Sequence, residues 1–232
     1  MAAQHRLYGR SAGKPLSERR QRLLAEKFPE VSVPDTSGDE LDPLRLFPSA
    51  KEVWLEIGFG GGEHLAGQAR RHPDVGLVGV EPFLDGIAKI LGLIEEERLE
   101  NIRLRRGDAR DLVAQLAPAS LDRVFILFPD PWPKTRHHKR RLVRPDFLDS
   151  LARTLKDGAR VRFATDWADY ANSALEAFLA DHRFSWVASC ADDWRMPPSD
   201  HVPTRYQAKG LGDCRPVFFD FHFTPLLIQR GN

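Results

Sequence analysis

An acidic residue between two prolines, at the end of an apolar run, is the feature of this sequence that best suits chemistry. The run ends at Phe128 and is followed by Pro-Asp-Pro-Trp-Pro (129–133). Each proline fixes its own φ and pushes the residue before it toward extended geometry, which predicts a stiff turn holding Asp130 and Trp132. Open α/β sheets bind ligands just beyond the carboxyl ends of their strands. We therefore expect Asp130 to lie at the edge of a binding site.

The residues that follow this turn form a basic block that suits a phosphate backbone. From Pro131 to Pro145 the sequence contains no Asp or Glu. We predict that Lys134 contacts the substrate and that six residues after it contact RNA: Arg136, His137, His138, Lys139, Arg140 and Arg141. A solvated helix face is the alternative, since charge runs commonly lie on the surface. An acid at a ligand-binding edge directly beside such a block favours chemistry on a nucleic acid.

A glycine-rich turn earlier in the chain predicts a cofactor site. The segment Gly-Phe-Gly-Gly-Gly (58–62) follows the predicted strand Glu52–Ile57 and precedes a helix that reaches about Arg71. Glycines permit positive φ and let a ligand approach the backbone, while a helix N-terminus offers unpaired N–H groups. A purely structural tight turn is the alternative. The predicted cofactor contacts of this segment are Glu56, Gly58, Gly60 and Gly62.

Two acids narrow the class of cofactor. Glu63 stands where the dinucleotide fingerprint has its third glycine, and an acid there would face a pyrophosphate poorly. The sulfonium-bearing S-adenosylmethionine carries less negative charge and tolerates neighbouring carboxylates. Glu81 ends the predicted strand Val75–Glu81 about 20 residues beyond the glycines, where an acid can accept hydrogen bonds from ribose hydroxyls. These residues favour S-adenosylmethionine over NAD, although an NAD-dependent dehydrogenase stays open.

Two adjoining stretches carry a resemblance to a known family. Phe-Pro-Asp-Pro-Trp-Pro-Lys (128–134) and Arg-His-His-Lys-Arg-Arg-Leu (136–142) resemble the signature of the tRNA (guanine-N7-)-methyltransferase family, a class I S-adenosylmethionine-dependent group. The resemblance extends from about Val53 to Thr224. It implies methyl transfer from S-adenosylmethionine to N7 of guanine 46, in the variable loop of tRNA. A methyltransferase acting on another RNA or a small amine, and a non-catalytic RNA-binding protein, are the alternatives.

The resemblance also assigns site residues. It implies that Asp108 and Ala109 contact the adenine end of the cofactor, and that Asp130 touches the cofactor and is the catalytic residue. It further implies that Asp166 faces the substrate, although this residue equally suits a helix N-cap. The family's substrate motif commonly reads Thr-Arg/Lys-Tyr/Phe-Glu, and its counterpart here is Thr204, Arg205, Tyr206 and Gln207. Gln207 departs from the usual Glu, which removes a charge and keeps a hydrogen-bond acceptor.

Strands that alternate with helices predict how these residues are positioned. We expect an α/β fold with a doubly wound, mostly parallel seven-stranded sheet, Rossmann-like as in class I methyltransferases, in a single domain. The other predicted strands are Ile102–Arg106, Leu121–Phe128, Arg160–Thr165, Phe184–Ser189 and Val217–Thr224. The later predicted helices are Leu84–Glu97, residues 145 to about 156 before a stop at Gly158, and residues 167 to about 181 after Asp166 as cap.

The chain divides into a basic N-terminal arm and loop (1–50) and a methyltransferase domain (51–232). Residues 1–27 contain seven Lys or Arg against two acids, with Ser17 as a candidate helix N-cap. This arm either contacts RNA or is a frayed terminus. Residues 29–50 contain four prolines and predict a loop.

Composition limits the partners. The net charge of +1 confines any nucleic-acid surface to a local patch. Cys190 and Cys214 are far apart and match neither a disulfide framework nor a metal motif, which fits the reducing cytoplasm. No run approaches the roughly 18 apolar residues of a membrane span. We expect S-adenosylmethionine as cofactor, no metal, tRNA as partner, and a monomer or homodimer without an obligatory protein partner.

Overall fold

A seven-stranded sheet forms the centre of the protein in the computed structural model, which describes residues 15–36 and 38–226. Its strands are β1 (Glu52–Ile57), β2 (Val75–Glu81), β3 (Ile102–Arg106), β4 (Leu121–Leu127), β5 (Leu155–Thr165), β6 (Phe184–Trp186) and β7 (Val217–Phe223). Their order is β3-β2-β1-β4-β5-β7-β6. Strands β1 to β5 are parallel, whereas β7 runs antiparallel to both β5 and β6. The prediction of a doubly wound, mostly parallel seven-stranded sheet is confirmed.

Eight α-helices accompany the sheet in the described ranges. They are α1 (Glu18–Val31), α2 (Glu63–Arg71), α3 (Leu84–Glu97), α4 (Ala109–Gln115), α5 (Pro145–Thr154), α6 (Ala168–Leu179), α7 (Asp192–Arg195) and α8 (Arg205–Lys209), with 3-10 helices at Pro43–Leu46 and Thr135–Arg140. Buried side chains of α4, α5 and α6 pack on one face of the sheet. Those of α1, α2 and α3 pack on the other face. No helix of the described part is long and apolar enough to cross a membrane.

The register of the central strands brings the functional positions to one edge. Strands β1, β2 and β4 are apolar runs covered on both faces, as parallel strands between helix layers usually are. Ile57 pairs with Val80 on one side and with Ile126 on the other. The glycine turn after β1, Glu81 at the end of β2 and the proline turn after β4 therefore share the carboxyl edge of the sheet.

The predicted loop over residues 29–50 was wrong in part. Helix α1 continues through Pro29 to Val31. Ser32 then forms a bridge to Leu104, and Leu41 forms one to Leu116. Because Val31 and Leu41 are also buried, tertiary packing orders a segment whose prolines alone predicted irregular backbone.

Two predicted boundaries around β5 were also wrong. Helix α5 ends at Thr154, and β5 begins at Leu155 rather than Arg160, because Leu155 pairs with Leu121 and the strand passes an irregularity before resuming at Arg160. Gly158 lies inside this strand with φ 77° and does not terminate a helix.

The sixth strand is shorter than predicted, and the start of α6 differs from the prediction. Strand β6 spans only Phe184–Trp186. Helix α6 has Trp167 as its N-cap position, so Asp166 does not cap it. The first N–H of this helix, on Ala168, donates to Asp213 Oδ1 at 2.8 Å instead.

Candidate active site

The glycine turn after β1 leaves open space above its backbone. Gly58, Gly60 and Gly62 have φ angles of 70°, 57° and 82°, a region that favours glycine. A Cβ atom added to Gly58 or Gly60 would meet no atom within 4 Å, whereas one on Gly62 would lie 2.4 Å from Ile90. The first two positions can therefore border a ligand, while Gly62 lets the start of α2 pack closely against α3.

Glu81 is a buried carboxylate held by backbone donors. It is 4% exposed, and its two oxygens accept hydrogen bonds from Gly60 N at 2.9 Å and Phe83 N at 3.0 Å. Burial raises the pKa of Glu81, the two N–H groups lower it in part, and the charges of Asp130 and Glu56 raise it further. Each oxygen keeps a second acceptor site, which suits hydrogen bonds from a ribose.

Three carboxylates converge at this edge from three neighbouring strands. Glu56 lies near the end of β1, Glu81 ends β2, and Asp130 follows β4. Glu56 pairs with Gly79 of β2 and with Phe125 of β4, so the ends of these three strands lie side by side. Such a cluster disfavours a pyrophosphate and suits a ligand that carries positive charge.

Asp108 closes the site beyond β3. Its Oδ1 accepts a hydrogen bond from Arg110 N at 2.9 Å and thereby caps α4, a helix that the sequence analysis did not predict. The Arg110 guanidinium also donates to Asp108, with Nε at 2.9 Å. Ala109 is 8% exposed and packs in the core. Arg110 was missed because a lone arginine two residues from an acid carries no sequence pattern that signals a site.

The turn that carries Asp130 is stiff, but its backbone differs from the prediction. Phe128 and Trp132 have φ angles of 51° and 45°, so Trp132 is left-handed rather than extended. Bulky residues rarely adopt this region, and such strain clusters at functional sites. Phe128 N is held by Ala164 O at 2.8 Å. The Asp130 side chain reaches solvent, yet the surrounding protein excludes enough water to raise its pKa.

Arg141 is buried, which corrects its prediction as a phosphate contact. It is 6% exposed and donates to Pro131 O at 2.9 Å and to Ser173 Oγ at 2.8 Å. It also forms an ion pair with Asp169 and lies 4.9 Å from the centre of the Tyr170 ring. A phosphate cannot reach this guanidinium, which instead fastens the proline turn to α6.

The other residues of the basic block line the surface beside the proline turn. They form the 3-10 helix Thr135–Arg140 and its N-cap residue Lys134, and Lys134, Arg136 and Lys139 are exposed. Within residues 15–36 and 38–226, these three cations form no ion pair with a carboxylate. His138 lies 3.4 Å from Asp169, and the Arg140 guanidinium lies 4.9 Å from the Trp132 ring centre. Desolvation and the nearby cations lower the pKa of His137, which is consistent with a positive surface.

Asp166 presents a buried oxygen that has no partner. The residue is 3% exposed, and Gly212 N donates to its Oδ2 at 3.0 Å. A side chain at Gly212 would collide with Asp166, since the Cβ would lie 2.0 Å from the backbone oxygen. In the described part of the chain, Oδ1 is buried without a hydrogen bond. Buried carboxylate oxygens are normally satisfied, so this one is an exception within the described residues.

The predicted substrate motif lies against the same edge. Thr204 Oγ1 accepts a hydrogen bond from Gln207 N at 3.2 Å and begins α8. Burial raises the pKa of Tyr206, and the charges of Asp166 and Asp130 add to the shift. The Tyr206 ring centre lies 6.1 Å from that of Phe128, at the start of the proline turn. Arg205 forms an ion pair with Glu63 at the start of α2. The residue that departs from the dinucleotide fingerprint thus links the glycine turn to the substrate motif.

Gln207 has a partner that the sequence analysis missed. Its Oε1 lies 2.7 Å from His201 Nε2. His201 is 9% exposed, and burial lowers its pKa. Gln207, which replaces the family's usual carboxylate, therefore uses its amide oxygen in a hydrogen bond. The sequence spacing of His201 and Gln207 did not predict this contact.

Comparison with known proteins identifies chains similar to this one. A family model described as "Putative methyltransferase" matches residues 50–219. A "tRNA (guanine-N(7)-)-methyltransferase" of Hyphomonas neptunium is 55% identical over 216 residues, which cover 93% of this chain and 98% of the relative. The protein of the same name from Caulobacter vibrioides is 53% identical, with 93% and 94% of the two chains covered.

A solved structure supports the fold. An rRNA methylase from Streptococcus thermophilus superposes with a TM-score of 0.52 at 12% identity, covering 78% of this chain and 91% of that one. Identity over nearly the full length of the curated relatives, together with the family model, establishes the relationship. The chain belongs to the tRNA (guanine-N(7)-)-methyltransferase family.

Proposed function

We propose that this protein methylates N7 of a guanine in tRNA, with S-adenosylmethionine as methyl donor, in the cytoplasm. The observation that carries the proposal is that Glu56, Glu81 and Asp130 lie at the adjacent ends of β1, β2 and β4, beside an open glycine turn and next to exposed cations. The names of the relatives at 53–55% identity support the same reaction. The variable-loop guanine is the acceptor we infer from the family resemblance.

The residues present fit S-adenosylmethionine. Glu81 can accept from the ribose hydroxyls, Glu56 can neutralise the ammonium group, and Asp108 lies where the adenine end is expected. The open space over Gly58 and Gly60 admits the ligand close to the backbone. When bound, S-adenosylmethionine supplies a methyl group on a sulfonium, whose carbon–sulfur bond breaks as the N7 lone pair attacks.

Asp130 is placed to orient the base. Guanine N7 carries a lone pair and no proton, so the step requires no general base. As a carboxylate, Asp130 can accept hydrogen bonds from guanine N1–H and the amino group and hold N7 toward the methyl group. Positioning of this kind and fixed negative charge beside a base that becomes cationic both lower the barrier. The tight turn between left-handed Phe128 and Trp132 fixes the backbone from which this carboxylate projects.

Two further groups of residues complete the substrate site. We infer that Asp166 and the motif Thr204–Gln207, whose Tyr206 ring lies beside Phe128, contact the nucleotide. The exposed cations Lys134, Arg136 and Lys139 are placed to contact phosphates. RNA recognition commonly targets loops whose bases are accessible, which agrees with a variable-loop acceptor.

The function is tested with purified protein, methyl-labelled S-adenosylmethionine and total tRNA, followed by nucleoside analysis. We expect label in 7-methylguanosine, and we expect Asp130→Asn to lose at least about a hundredfold in kcat while cofactor affinity changes less. Asp122→Asn, remote from the edge, is the matched control. Label in another nucleoside or in added small amines, with tRNA guanine unmodified, would overturn the proposal.

The raised pKa of Asp130 predicts the pH dependence. The reaction needs the carboxylate, so kcat/KM is full above the folded pKa and falls as the pH drops through it. Because the surrounding protein partly desolvates Asp130 and raises this pKa, the acid limb should lie above the usual value of about 3.9 for Asp. A pH profile of wild type and Asp130→Asn measures this limb. A wild-type limb at or below the usual value would contradict the assignment.

A further inference from the structure

A chain of buried hydrogen bonds connects the cofactor edge to the substrate segment. His64 and Gln68, one helical turn apart on α2, are both 0% exposed. His64 Nδ1 lies 2.8 Å from Glu56 Oε2, and His64 Nε2 lies 3.2 Å from Gln68 Nε2. Gln68 Nε2 also donates to Asp200 O at 2.7 Å, four residues before Thr204. The reaction described above uses neither His64 nor Gln68.

The partners at the far end fix the direction of every hydrogen bond in this chain. Asp200 O is a backbone carbonyl and can only accept, so the Gln68 group beside it must be the amide NH2. That NH2 group donates to His64 Nε2, which must then be unprotonated. The imidazole proton therefore sits on Nδ1 and is donated to Glu56. His64 is held as one neutral tautomer whose N–H points at the buried carboxylate.

Asp200 is itself firmly anchored. Its side chain accepts hydrogen bonds from Arg123 at 2.7 Å and from Arg162 at 2.6 Å. Arg162 in turn donates to Asp220 on β7 at 2.7 Å. These arginines hold the pKa of Asp200 at about 2, although burial opposes the shift. The hydrogen-bond chain thus starts from a turn residue held by arginines of β4 and β5 and ends at Glu56.

We propose that His64 is a positioning residue for Glu56, orienting the carboxylate toward the ammonium group of S-adenosylmethionine. The inference rests on the proposed function and deepens it. A hydrogen bond from Nδ1 to Oε2 leaves Oε1 of Glu56 for the ligand. Glu56 is 1% exposed, so without His64 the carboxylate would lose a buried hydrogen-bond donor and the orientation that this donor fixes.

The test separates positioning from simple packing. His64→Leu removes the donor and fills most of the space. His64→Asn places an amide nitrogen where Nδ1 lies, and His64→Gln places its amide toward Gln68 instead. The measurements are calorimetric Kd values for S-adenosylmethionine and S-adenosylhomocysteine, together with kcat, both KM values and the Tm.

We expect His64→Leu and His64→Gln to weaken both ligands about tenfold to a hundredfold, the loss typical of a hydrogen bond to a charged group. His64→Asn should stay within about threefold of wild type. In all three variants, kcat at saturating cofactor and the KM for tRNA should change less than about twofold. His72→Leu is the matched control, because His72 is the C-cap of the same helix and its ring lies tilted against Trp54, with 4.7 Å between the ring centres.

Two outcomes would overturn the inference. Equal cofactor affinity in the Asn and Gln variants would show that the donor at Nδ1 is irrelevant, even if His64→Leu does not fold. A loss in His64→Leu that persists undiminished in the Glu56→Gln background would show that His64 does not act through Glu56. Failure of the wild type to bind S-adenosylmethionine would instead overturn the proposed function.

Discussion

Two segments rich in arginine look alike in the sequence and serve different purposes in the structure. Helix α1 carries Arg19, Arg20 and Arg22, and the 3-10 helix Thr135–Arg140 lies in the basic block after the proline turn. In α1, Arg19 pairs with Glu95 at 3.0 Å and with Glu96 at 2.9 Å. The other two arginines of α1 also pair with acids of α3: Arg20 with Asp85 at 2.9 Å and Arg22 with Glu95 at 3.1 Å. Of the described acids, none pairs with the exposed Lys134, Arg136 or Lys139.

The difference teaches that a count of cations does not show which of them are available. The acids that neutralise α1 lie more than sixty residues later in the chain, on α3. Leu23 and Val31 are buried and pack the apolar side of α1 against the protein. Helix α1 is therefore neither a frayed terminus nor a free cationic arm. The boundary predicted at residue 50 therefore does not separate α1 from the packed protein. The first fourteen residues of the predicted arm lie outside the described residues.

Removal of the exposed cations at the 3-10 helix should give the largest difference between the two segments. We expect Lys134→Ala, Arg136→Ala and Lys139→Ala together to weaken tRNA binding about a hundredfold or more at low salt. The log–log slope of affinity against salt should become shallower by roughly 2 to 3, since each lost phosphate contact contributes roughly 0.7 to 0.9. Cofactor affinity serves as the control and should stay at the wild-type value. An unchanged salt slope would show that these cations form only a solvated charged surface and do not contact RNA.

Arg141 allows a second comparison within the basic block, because it belongs to the same run of cations but is buried. Arg141→Ala should lower the free energy of unfolding by roughly 2 kcal/mol through its lost hydrogen bonds. It should also lower kcat about tenfold, since the turn that carries Asp130 loses its attachment to α6. The salt slope should remain that of wild type.

Arg141→Lys is the conservative variant, and it should recover little because an ammonium cannot reproduce the guanidinium fork. The measurements are denaturant unfolding, kcat and the salt dependence of tRNA binding. A slope that becomes shallower by about 0.7 to 0.9, with stability and kcat retained, would return Arg141 to the phosphate contacts.

The sequence predicted those parts of the site that depend on local pattern. Apolar runs bounded by glycine or proline located the strands, and an acid after such a run located Glu81 and Asp130 at the carboxyl edge. These predictions held because the end of a parallel strand is fixed by the residues around it. The burial of Arg141 and the course of α1 could not be predicted in this way, since both depend on partners on other helices.

The same reason explains why the chain from Glu56 to Asp200 was not predicted. His64 contacts an acid eight residues earlier, but Gln68 reaches a carbonyl 132 residues later. A buried histidine near a helix N-terminus carries no sequence pattern that distinguishes it from a core residue. Only the three-dimensional structure shows that His64 donates its Nδ1 proton to Glu56.

The smallest expected effect belongs to α1 and completes the comparison. Arg19→Gln, Arg20→Gln and Arg22→Gln together should leave tRNA affinity within about twofold and the salt slope unchanged. The Tm should fall by no more than about 2 °C, because exposed ion pairs contribute little and glutamine is a good helix former. Glu95→Gln with Glu96→Gln is the matched variant, since it frees Arg19 and Arg22 without removing them. If RNA passed over α1, the first variant would flatten the salt slope and the second would steepen it, and α1 and the 3-10 helix would then form one continuous surface.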